Sequence, residues 1–280
     1  MKTIGFVDYY ISEWHANKYP EWIREASEIL GEKFEVKYAW AEEYVSPVDG
    51  RNTDEWCEAY GVERCKTISE VCEKSDYILV LAPSNPEKHL GYAKAVLKYR
   101  KNTYIDKTFS PDYATAKEIF AIAEEYGTKF FSTSALRYGF ELQGLKNARA
   151  LVTFGAGSNI EEYIVHQVEM AVNILNAKAE KVRVEKQNNQ YICRVLFQED
   201  KAATMIFAGG LSFAVCGNNV DGQSAYESVS LDFFKTLVKE ILRFYLTGVV
   251  PFDSRQTLEV MKIREGIIKG TQRLGEWLVL

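Results

Sequence analysis

The first half of the sequence alternates short apolar runs with longer segments of helical periodicity. Apolar runs at residues 4–7, 34–39 and 77–81 are separated by amphipathic stretches that include residues 14–30 and 54–60. This alternation is typical of parallel strands joined by helices, because a parallel connection needs a crossover of a dozen or more residues. We therefore expect a Rossmann-like, doubly wound parallel sheet in this part of the chain.

Two helix starts follow directly on two strand ends. Pro86 comes after the strand at residues 77–81, and Pro111 comes after the strand at residues 103–106. Proline is favoured at the first helical position, where its missing N–H has no partner to lose. Because ligands of an open parallel sheet bind at the carboxyl ends of its strands, the sequence predicts a binding site at this edge.

The pattern changes after residue 134. A strand at residues 149–154 and a long helix at residues 160–175 precede several closely spaced strands. These strands are predicted at residues 182–186, 191–197, 203–207 and 212–216. Short links, such as the one at Gly209-Gly210, indicate antiparallel pairing. Two helical stretches, residues 231–246 and 254–277, close the sequence.

Together the two patterns predict an α/β protein of two domains. Residues 1–137 form the Rossmann-like domain, and residues 138–280 form an α+β domain with a predominantly antiparallel open sheet. A length of 280 residues, 47% of them apolar, suffices for both cores. We expect helices to cover one face of the antiparallel sheet and the other face to form the contacts of a homo-oligomer.

Charge and cysteine content narrow the class of partner. The net charge of −5 comes without a basic stripe, so we expect a small-molecule partner and neither nucleic acid nor a membrane surface. Without a signal-like start or an apolar run of spanning length, a cytoplasmic protein is expected. The five cysteines include no Cys-x-x-Cys pair, which favours reduced thiols over disulfides or a zinc site.

Lys107 stands immediately after a predicted strand and shortly before a helix start. Its ammonium group could point into the crevice at the sheet edge and orient or polarise a substrate hydroxyl. A solvated loop lysine is the simpler interpretation, and position alone favours it.

Glu162 and His166 are four residues apart, so both side chains lie on one face of the predicted helix at residues 160–175. A carboxylate beside an imidazole holds its tautomer and raises its basicity, which suits a general base. An ordinary helical Glu-His pair is the common alternative. We expect no metal site, because nothing nearby supplies a third ligand.

Three more titratable residues fall near the same sheet edge. His15 lies one turn into the first helix, and His89 lies one turn into the helix that follows Pro86. Each taken singly is more often a partly buried helix residue than a ligand or a base. Glu42, at the end of the second strand, occupies about the place where an acidic residue binds ribose hydroxyls, although an exposed acidic loop explains it equally well.

The turn after the first strand lacks the glycines of a dinucleotide-binding turn. Residues 8–13 read Asp-Tyr-Tyr-Ile-Ser-Glu. Glycines there let the backbone approach a pyrophosphate that sits on the helix N-terminus. Asp8 adds negative charge and Tyr10 adds bulk at this point. The sequence therefore favours the fold and argues against the usual cofactor contact.

Together these segments resemble the Gfo/Idh/MocA family of NAD(P)-dependent sugar and polyol oxidoreductases over almost the whole chain. Residues 82–89 resemble the family's Pro-Asn…His turn, and residues 106–109, Asp-Lys-Thr-Phe, resemble its Glu-Lys-Pro motif. Residues 134–138 resemble its Arg-aromatic junction between domains. Residues 162–166 resemble the Asp-x-x-x-His at the start of a long helix, and residues 275–277 resemble the last helix.

The resemblance implies hydride transfer between NAD or NADP and a sugar, polyol or related hydroxylated metabolite. It assigns Lys107 to substrate and nicotinamide positioning, His166 to proton transfer, and Glu162 to the place of the family's Asp. It also implies a set of cofactor contacts along the sheet edge. These are Asp8, Tyr9, Tyr10, Ile11, Glu42, Pro83, Ser84, Asn85 and His89.

The departures from the family pattern lie at the cofactor end. Asp8 and Tyr10 stand where the first two loop glycines would be, Glu13 stands near the third, and Thr108 replaces the motif proline. Two other hypotheses therefore stay open. One is a family member without nicotinamide binding that serves in sugar binding, sensing or scaffolding. The other is a lyase or isomerase that uses Lys107 and His166 without a dissociable dinucleotide.

Overall fold

The structure, a computed structural model, describes residues 1–146, 148–218, 222–229 and 232–280. The chain divides into two compact units. The first comprises Met1–Thr133 and Leu237–Phe252, and the second comprises Ser134–Thr236 and Asp253–Leu280. The sequence-based boundary between residues 137 and 138 lies shortly after the start of the second unit, and it stays a prediction.

The first unit contains a parallel sheet of six strands. They are β1 (Lys2–Tyr10), β2 (Phe34–Glu43), β3 (Glu63–Arg64), β4 (Tyr77–Val80), β5 (Thr103–Ile105) and β6 (Phe130–Phe131). Their order is β3-β2-β1-β4-β5-β6, and every pair is parallel. The order reverses between β1 and β4, which is the point where an open α/β sheet forms its crevice. The predicted doubly wound sheet is confirmed.

Five α-helices connect these strands. They are α1 (Trp14–Leu30), α2 (Thr53–Tyr60), α3 (Ile68–Lys74), α4 (His89–Val96) and α5 (Tyr113–Tyr126). Side chains that accept backbone N–H bonds cap four of them, namely Glu13, Asn52, Thr67 and Asp112. Such caps satisfy donors that the helix itself leaves unpaired.

The second unit contains the second sheet. Its strands are β7 (Ala150–Gly155), β8 (Ala179–Gln187), β9 (Gln190–Phe197), β10 (Lys201–Phe207), β11 (Ala214–Asn218), β12 (Ser224–Ser228) and β13 (Trp277–Val279). The order is β12-β11-β7-β10-β9-β8-β13, antiparallel except for the parallel pair of β7 and β10. A predominantly antiparallel sheet is thus confirmed, although β11 pairs with β7 rather than continuing the meander from β10.

Three further helices follow, α6 (Ile160–Leu175), α7 (Phe233–Thr247) and α8 (Arg255–Thr271). The predicted helix at residues 254–277 is wrong at its end, because Gly275 adopts a φ of 80° and its N–H binds the Val184 carbonyl at 2.8 Å. The chain then forms β13, so the resemblance of residues 275–277 to a last helix fails as well. The predicted start of α7 at residue 231 lies outside the described residues.

Most of α7 belongs to the first unit although it follows the second sheet in sequence. Tyr245 is 2% exposed and donates its hydroxyl to the Ile78 carbonyl at 2.7 Å. Its ring stacks on Tyr77 with centroids 4.7 Å apart. A late segment of the chain therefore completes the core behind the central strand β4.

None of the helices in the described ranges is long and apolar enough to cross a membrane. All five cysteines carry free thiols. Across the same ranges, no group of three or more His, Cys, Asp and Glu side chains is arranged to hold a metal ion.

Candidate active site

Asp106 organises the carboxyl edge of the first sheet. It directly follows β5, it is 1% exposed, and its Oδ2 lies 2.5 Å from His15 Nδ1. Its Oδ1 accepts the Lys107 backbone N–H at 2.8 Å and the Tyr104 hydroxyl at 3.2 Å. Burial acts to raise the pKa of Asp106, but the charges and hydrogen bonds of His15 and Lys107 together outweigh burial and leave that pKa below its usual value.

Lys107 lies beside the turn that follows β4. Its Nζ is 3.5 Å from the Pro83 carbonyl oxygen, which also accepts the Thr108 N–H at 3.3 Å. The catalytic lysine expected from the sequence and one of the expected cofactor contacts are therefore neighbours. Both stand at the edge where ligands of this fold bind.

Asp8 ends the buried part of β1 at the same edge. Its Oδ1 accepts the N–H groups of Tyr9 at 2.7 Å and Ala82 at 2.9 Å. Its Oδ2 is buried, and no hydrogen-bond partner for it occurs among the described residues. Burial, together with the charge of Glu13, raises the pKa of Asp8 well above its usual value.

Glu13 caps helix α1 with its side chain. Its carboxylate accepts the N–H of His15 at 2.8 Å and that of Ala16, and its carbonyl accepts the Asn17 N–H at 2.9 Å. The residue is 7% exposed. Burial raises the pKa of Glu13, and the nearby His15 and the two N–H donors offset only part of that rise.

The β1–α1 turn is also tied to the loop after β2. Ser12 donates its hydroxyl to Asp49 at 2.7 Å, and Ser46 donates to the Ser12 carbonyl at 2.6 Å. The bond from Ser12 lowers the pKa of Asp49. The turn is therefore fixed from both sides and has a further carboxylate beside it.

These contacts decide whether the turn fits a dinucleotide. In this fold the pyrophosphate lies on the free N–H groups of the first helix after β1. Here Glu13 already binds those groups, and Asp8 lies close by. The turn does not fit the usual contact with a pyrophosphate.

Glu42, expected to bind a ribose, has internal partners. It accepts Lys88 Nζ at 2.5 Å and the Tyr92 hydroxyl at 2.7 Å. Although burial opposes it, bonding to these two residues lowers the pKa of Glu42. Lys88 also lies over the Tyr9 ring, 4.3 Å from its centroid.

His89 is fully buried between two backbone carbonyls. Its Nδ1 is 3.0 Å from the Phe109 oxygen, and its Nε2 is 2.5 Å from the Leu81 oxygen. Burial lowers the pKa of His89 despite these two bonds. The imidazole ties the segment after β4 to the segment after β5, which is a structural role, and its predicted cofactor contact stays a prediction.

The remaining expected cofactor contacts differ in exposure. Tyr10 packs its ring 5.5 Å from that of Tyr9, and Ile11 is buried. Ser84 is exposed, and Asn85 donates its side-chain amide to Glu87 at 2.9 Å. Only Ser84 thus presents a largely uncovered side chain.

His166 belongs to the second unit, on helix α6. Its Nδ1 lies 2.7 Å from the Ser134 hydroxyl, and its ring meets Phe213 with centroids 5.3 Å apart. Glu162, one turn earlier, donates its backbone N–H to the side-chain oxygen of the capping Asn159 at 2.7 Å. The proton-transfer roles expected for His166 and Glu162 stay predictions.

A buried ion pair beside His166 was missed by the sequence reasoning. Glu169, one turn beyond His166, binds Arg137 Nε at 2.5 Å, with both side chains 4% exposed. Its other oxygen accepts the Ser134 N–H at 3.3 Å. The sequence signal that could have revealed this pair is Arg137 in the junction motif, because a buried arginine needs a carboxylate partner.

The chain is similar to known proteins in sequence and in fold. Residues 41–134 match the sequence profile described as "Oxidoreductase family, NAD-binding Rossmann fold", Gfo/Idh/MocA. The uncharacterized oxidoreductase YhhX of Escherichia coli K12 is 38% identical over 60 residues, which are 21% of this chain and 17% of that protein. The match thus spans less than a fifth of the length of that relative.

Solved structures share the fold across nearly all of the chain. A probable dehydrogenase from Thermotoga maritima has a TM-score of 0.78 at 12% identity and covers 99% of this chain and 98% of its own. Myo-inositol dehydrogenase from Lactobacillus casei, in complex with NAD(H) and myo-inositol, has a TM-score of 0.81 at 9% identity. The match covers 100% of this chain and 97% of that one. UDP-N-acetylglucosamine 3-dehydrogenase GnnA from Acidithiobacillus ferrooxidans has a TM-score of 0.74 at 10% identity, and the match covers 98% of this chain and 97% of that one.

At these identities the structural matches establish the fold alone, and the profile match concerns residues 41–134. The profile covers β3 to β6 and the end of β2, which include Glu42, Pro83 and Lys107. The family recognised from the sequence is supported by this match: residues 41–134, less than half of the chain, match the profile of the Gfo/Idh/MocA oxidoreductases, described as an NAD-binding Rossmann fold.

Proposed function

We propose that this protein is an oxidoreductase that acts on a sugar, polyol or related hydroxylated metabolite, with NAD or NADP as its cofactor. The observation that carries the proposal is the placement of Lys107. It follows β5 inside the segment that matches the family, and its ammonium group lies 3.5 Å from the Pro83 carbonyl at the ligand-binding edge of the sheet. The hydride acceptor or donor would be the nicotinamide.

The roles of the chain's own residues follow from the chemistry of a carbinol. Oxidising it requires the hydroxyl proton to leave to a base, while a cation stabilises the developing negative charge on oxygen. We assign the cationic role to Lys107 and the proton transfer to His166, with Glu162 near it on α6. Ser134, whose hydroxyl lies 2.7 Å from His166 Nδ1, supports this assignment because the contact helps to orient the imidazole ring.

The substrate class rests on relatives of the same fold. One solved neighbour was crystallised with myo-inositol and NAD(H), and another is named for a 3-dehydrogenase activity on UDP-N-acetylglucosamine. We infer a small hydroxylated ring for this chain by that analogy.

Dinucleotide binding tests the proposal first. Purified protein is titrated with NADH and NADPH by fluorescence and then assayed with a panel of polyols, sugars and sugar acids. Binding of one dinucleotide together with its reduction or oxidation supports an oxidoreductase. Absence of binding at millimolar concentrations of both dinucleotides would exclude it.

A second candidate is favoured by the β1–α1 turn. Glu13 on the helix N-terminus and buried Asp8 match a family member that has lost the dinucleotide and serves in sugar binding, sensing or scaffolding. Such a protein would show a thermal shift with a sugar or polyol ligand and none with NADH or NADPH. Because the wild type would then have no turnover, Lys107→Ala would cause no loss of activity.

We also propose that the protein is a homo-oligomer through the second sheet. Apolar and aromatic side chains remain exposed on that sheet, including Ile192 at 41%, Tyr226 at 64% and Trp277 at 36%. Exposed apolar side chains on the strands of this sheet support an interface between copies.

A further inference from the structure

The first turn of α1 is saturated by one residue. Glu13 binds the N–H groups of His15 and Ala16 through its carboxylate and that of Asn17 through its carbonyl. In a dinucleotide-binding fold, this is the group of donors that receives a phosphate. The negative end of a side chain thus lies where the fold offers its site for an external anion.

The Glu13 carboxylate is fixed in this position by its burial and its hydrogen bonds. It is buried, it bonds two consecutive N–H groups, and its own backbone N–H binds the Ile11 carbonyl at 3.0 Å. The preceding residue, Ser12, is tied to Asp49 and Ser46. A ligand that displaced the carboxylate would have to break these contacts and rehydrate the charge.

The surroundings also disfavour a second anion. Asp8 and Asp106 both interact electrostatically with Glu13, and both are fully buried. His15, which lies near Glu13 and can carry positive charge, already pairs with Asp106 at 2.5 Å. Buried charges interact strongly because little water screens them.

We propose that Glu13 is a built-in anion that replaces the pyrophosphate at the N-terminus of α1. Any dinucleotide that this chain binds is then held without the contact between its pyrophosphate and that helix. The contact would have to be replaced by groups at the other strand ends, such as the exposed Ser84. This inference is independent of the proposed activity, because it concerns an anion site that inorganic pyrophosphate alone can probe.

The test is calorimetric titration of the full chain with inorganic pyrophosphate at mildly alkaline pH. The variant Glu13→Ser removes the carboxylate but keeps a residue that caps helices well. It should bind pyrophosphate at least about tenfold more tightly than the wild type. Glu13→Gln, which keeps the shape and loses the charge, should gain by a smaller factor.

The matched control is Glu21→Ser, which removes the same charge from an exposed position on the same helix. It should leave pyrophosphate binding unchanged. Equal binding by the wild type and Glu13→Ser overturns the proposal. If Glu13→Ser does not fold by circular dichroism, equal binding by the wild type and Glu13→Gln overturns it in the same way.

The outcome separates cleanly from that of the proposed function. Wild-type turnover with NAD or NADP, without a gain in pyrophosphate binding by Glu13→Ser, supports the oxidoreductase and contradicts the proposal for Glu13. A gain in pyrophosphate binding by Glu13→Ser, with no dinucleotide binding by the wild type, supports the proposal for Glu13 and contradicts the oxidoreductase. NADH titration of the same variants adds a second ligand and should show the same order of affinities.

Discussion

Carboxyl groups of one sheet edge differ at the residue scale because their partners differ. Asp106 bonds an imidazole and two further donors, and its pKa falls. Asp8 is equally buried, and there burial and the charge of Glu13 outweigh its two N–H donors, so its pKa rises. Environment rather than residue type thus decides which of the two carries charge.

The raised pKa of Asp8 predicts a pH dependence of stability. Between the ordinary pKa of an aspartate and the higher value in the fold, the folded state binds more protons than the unfolded state. Ionisation of Asp8 therefore makes the free energy of unfolding fall as pH rises through that window. Asp8→Asn keeps an oxygen for the Tyr9 and Ala82 N–H groups and cannot ionise, so its stability should fall less. Urea unfolding across a pH series measures both curves.

Glu13, whose pKa is also raised, leaves some slope of the same sign in the Asp8→Asn protein. The comparison is therefore between slopes, and Asp200→Asn serves as the control because its carboxyl group is 98% exposed. Identical slopes for the wild type and Asp8→Asn would show that Asp8 ionises normally in the fold.

Proton-transfer chemistry gives a second prediction at this scale. Under the proposed function, Lys107→Ala and His166→Ala should each lower kcat at least about a hundredfold, because each removes a group assigned there to act on the substrate hydroxyl. Steady-state kinetics with the substrate found in the panel measure the loss. Thermal unfolding should show both variants to be folded.

Lys117→Ala is the matched control for the lysine, since Lys117 is exposed on α5 of the same unit. Its activity should equal that of the wild type. A Lys107 or His166 variant with near wild-type turnover would remove that residue from the mechanism.

The sequence predicted the positions of these residues better than their contacts. Lys107 was placed from a strand end followed by a helix start, which is local information. The role of Glu13 was not predicted, because the residue was considered only as a replacement for a glycine and glutamate is not among the residues preferred at helix N-caps. The bond between His15 and Asp106 joins residues 91 positions apart and carries no local signal.

At the scale of elements, strong periodicity gave the most accurate bounds. The helices predicted at residues 14–30 and 160–175 coincide with α1 and α6. The failure at the end of α8 has a local cause, since the helix ends at Thr271 and Gly275 then takes the left-handed conformation. The strand that follows gains its partner from β8, which is distant in sequence and therefore invisible to local patterns.

Helix α8 packs closely on the second sheet through glycines. A Cβ added at Gly270 would lie 2.6 Å from Val184 Cγ2, and Val184 is fully buried on β8. Alanine is favoured over glycine within a helix by about 1 kcal/mol, but overpacking a core costs about 1–3 kcal/mol. We therefore expect Gly270→Ala to lower the free energy of unfolding by about 1 kcal/mol in urea denaturation.

Gly91 on α4 provides the contrasting control. No atom lies within 4 Å of a Cβ built there, so the helical preference acts alone. Gly91→Ala should therefore raise stability by about 0.5–1 kcal/mol. An equal gain in Gly270→Ala would show that α8 can move away from β8 at no cost.

At the scale of the whole molecule, the proposed association of copies depends on the second sheet. On its helix side Thr153 binds Gln167 of α6 at 2.9 Å, and Gly270 of α8 packs on Val184. On the strands of the same sheet, Ile192, Tyr226 and Trp277 remain exposed. The alternation of buried and exposed residues along β9 places Ile192 away from the core. That a face would be left uncovered was predictable from the sequence, since antiparallel sheets commonly pack on one side only.

Association through this face predicts that one charge in it will separate the copies. Ile192→Glu should convert the oligomer to a monomer in light scattering, because a buried carboxylate without a partner costs several kcal/mol at an interface. Folding of the single chain should be little affected, since Ile192 is 41% exposed in it. Ile29→Glu is the matched control, with the same change at a residue 73% exposed on α1 of the first unit. A wild type that is monomeric at high concentration would contradict association. An Ile192→Glu protein with the oligomeric mass of the wild type would place the interface on another surface.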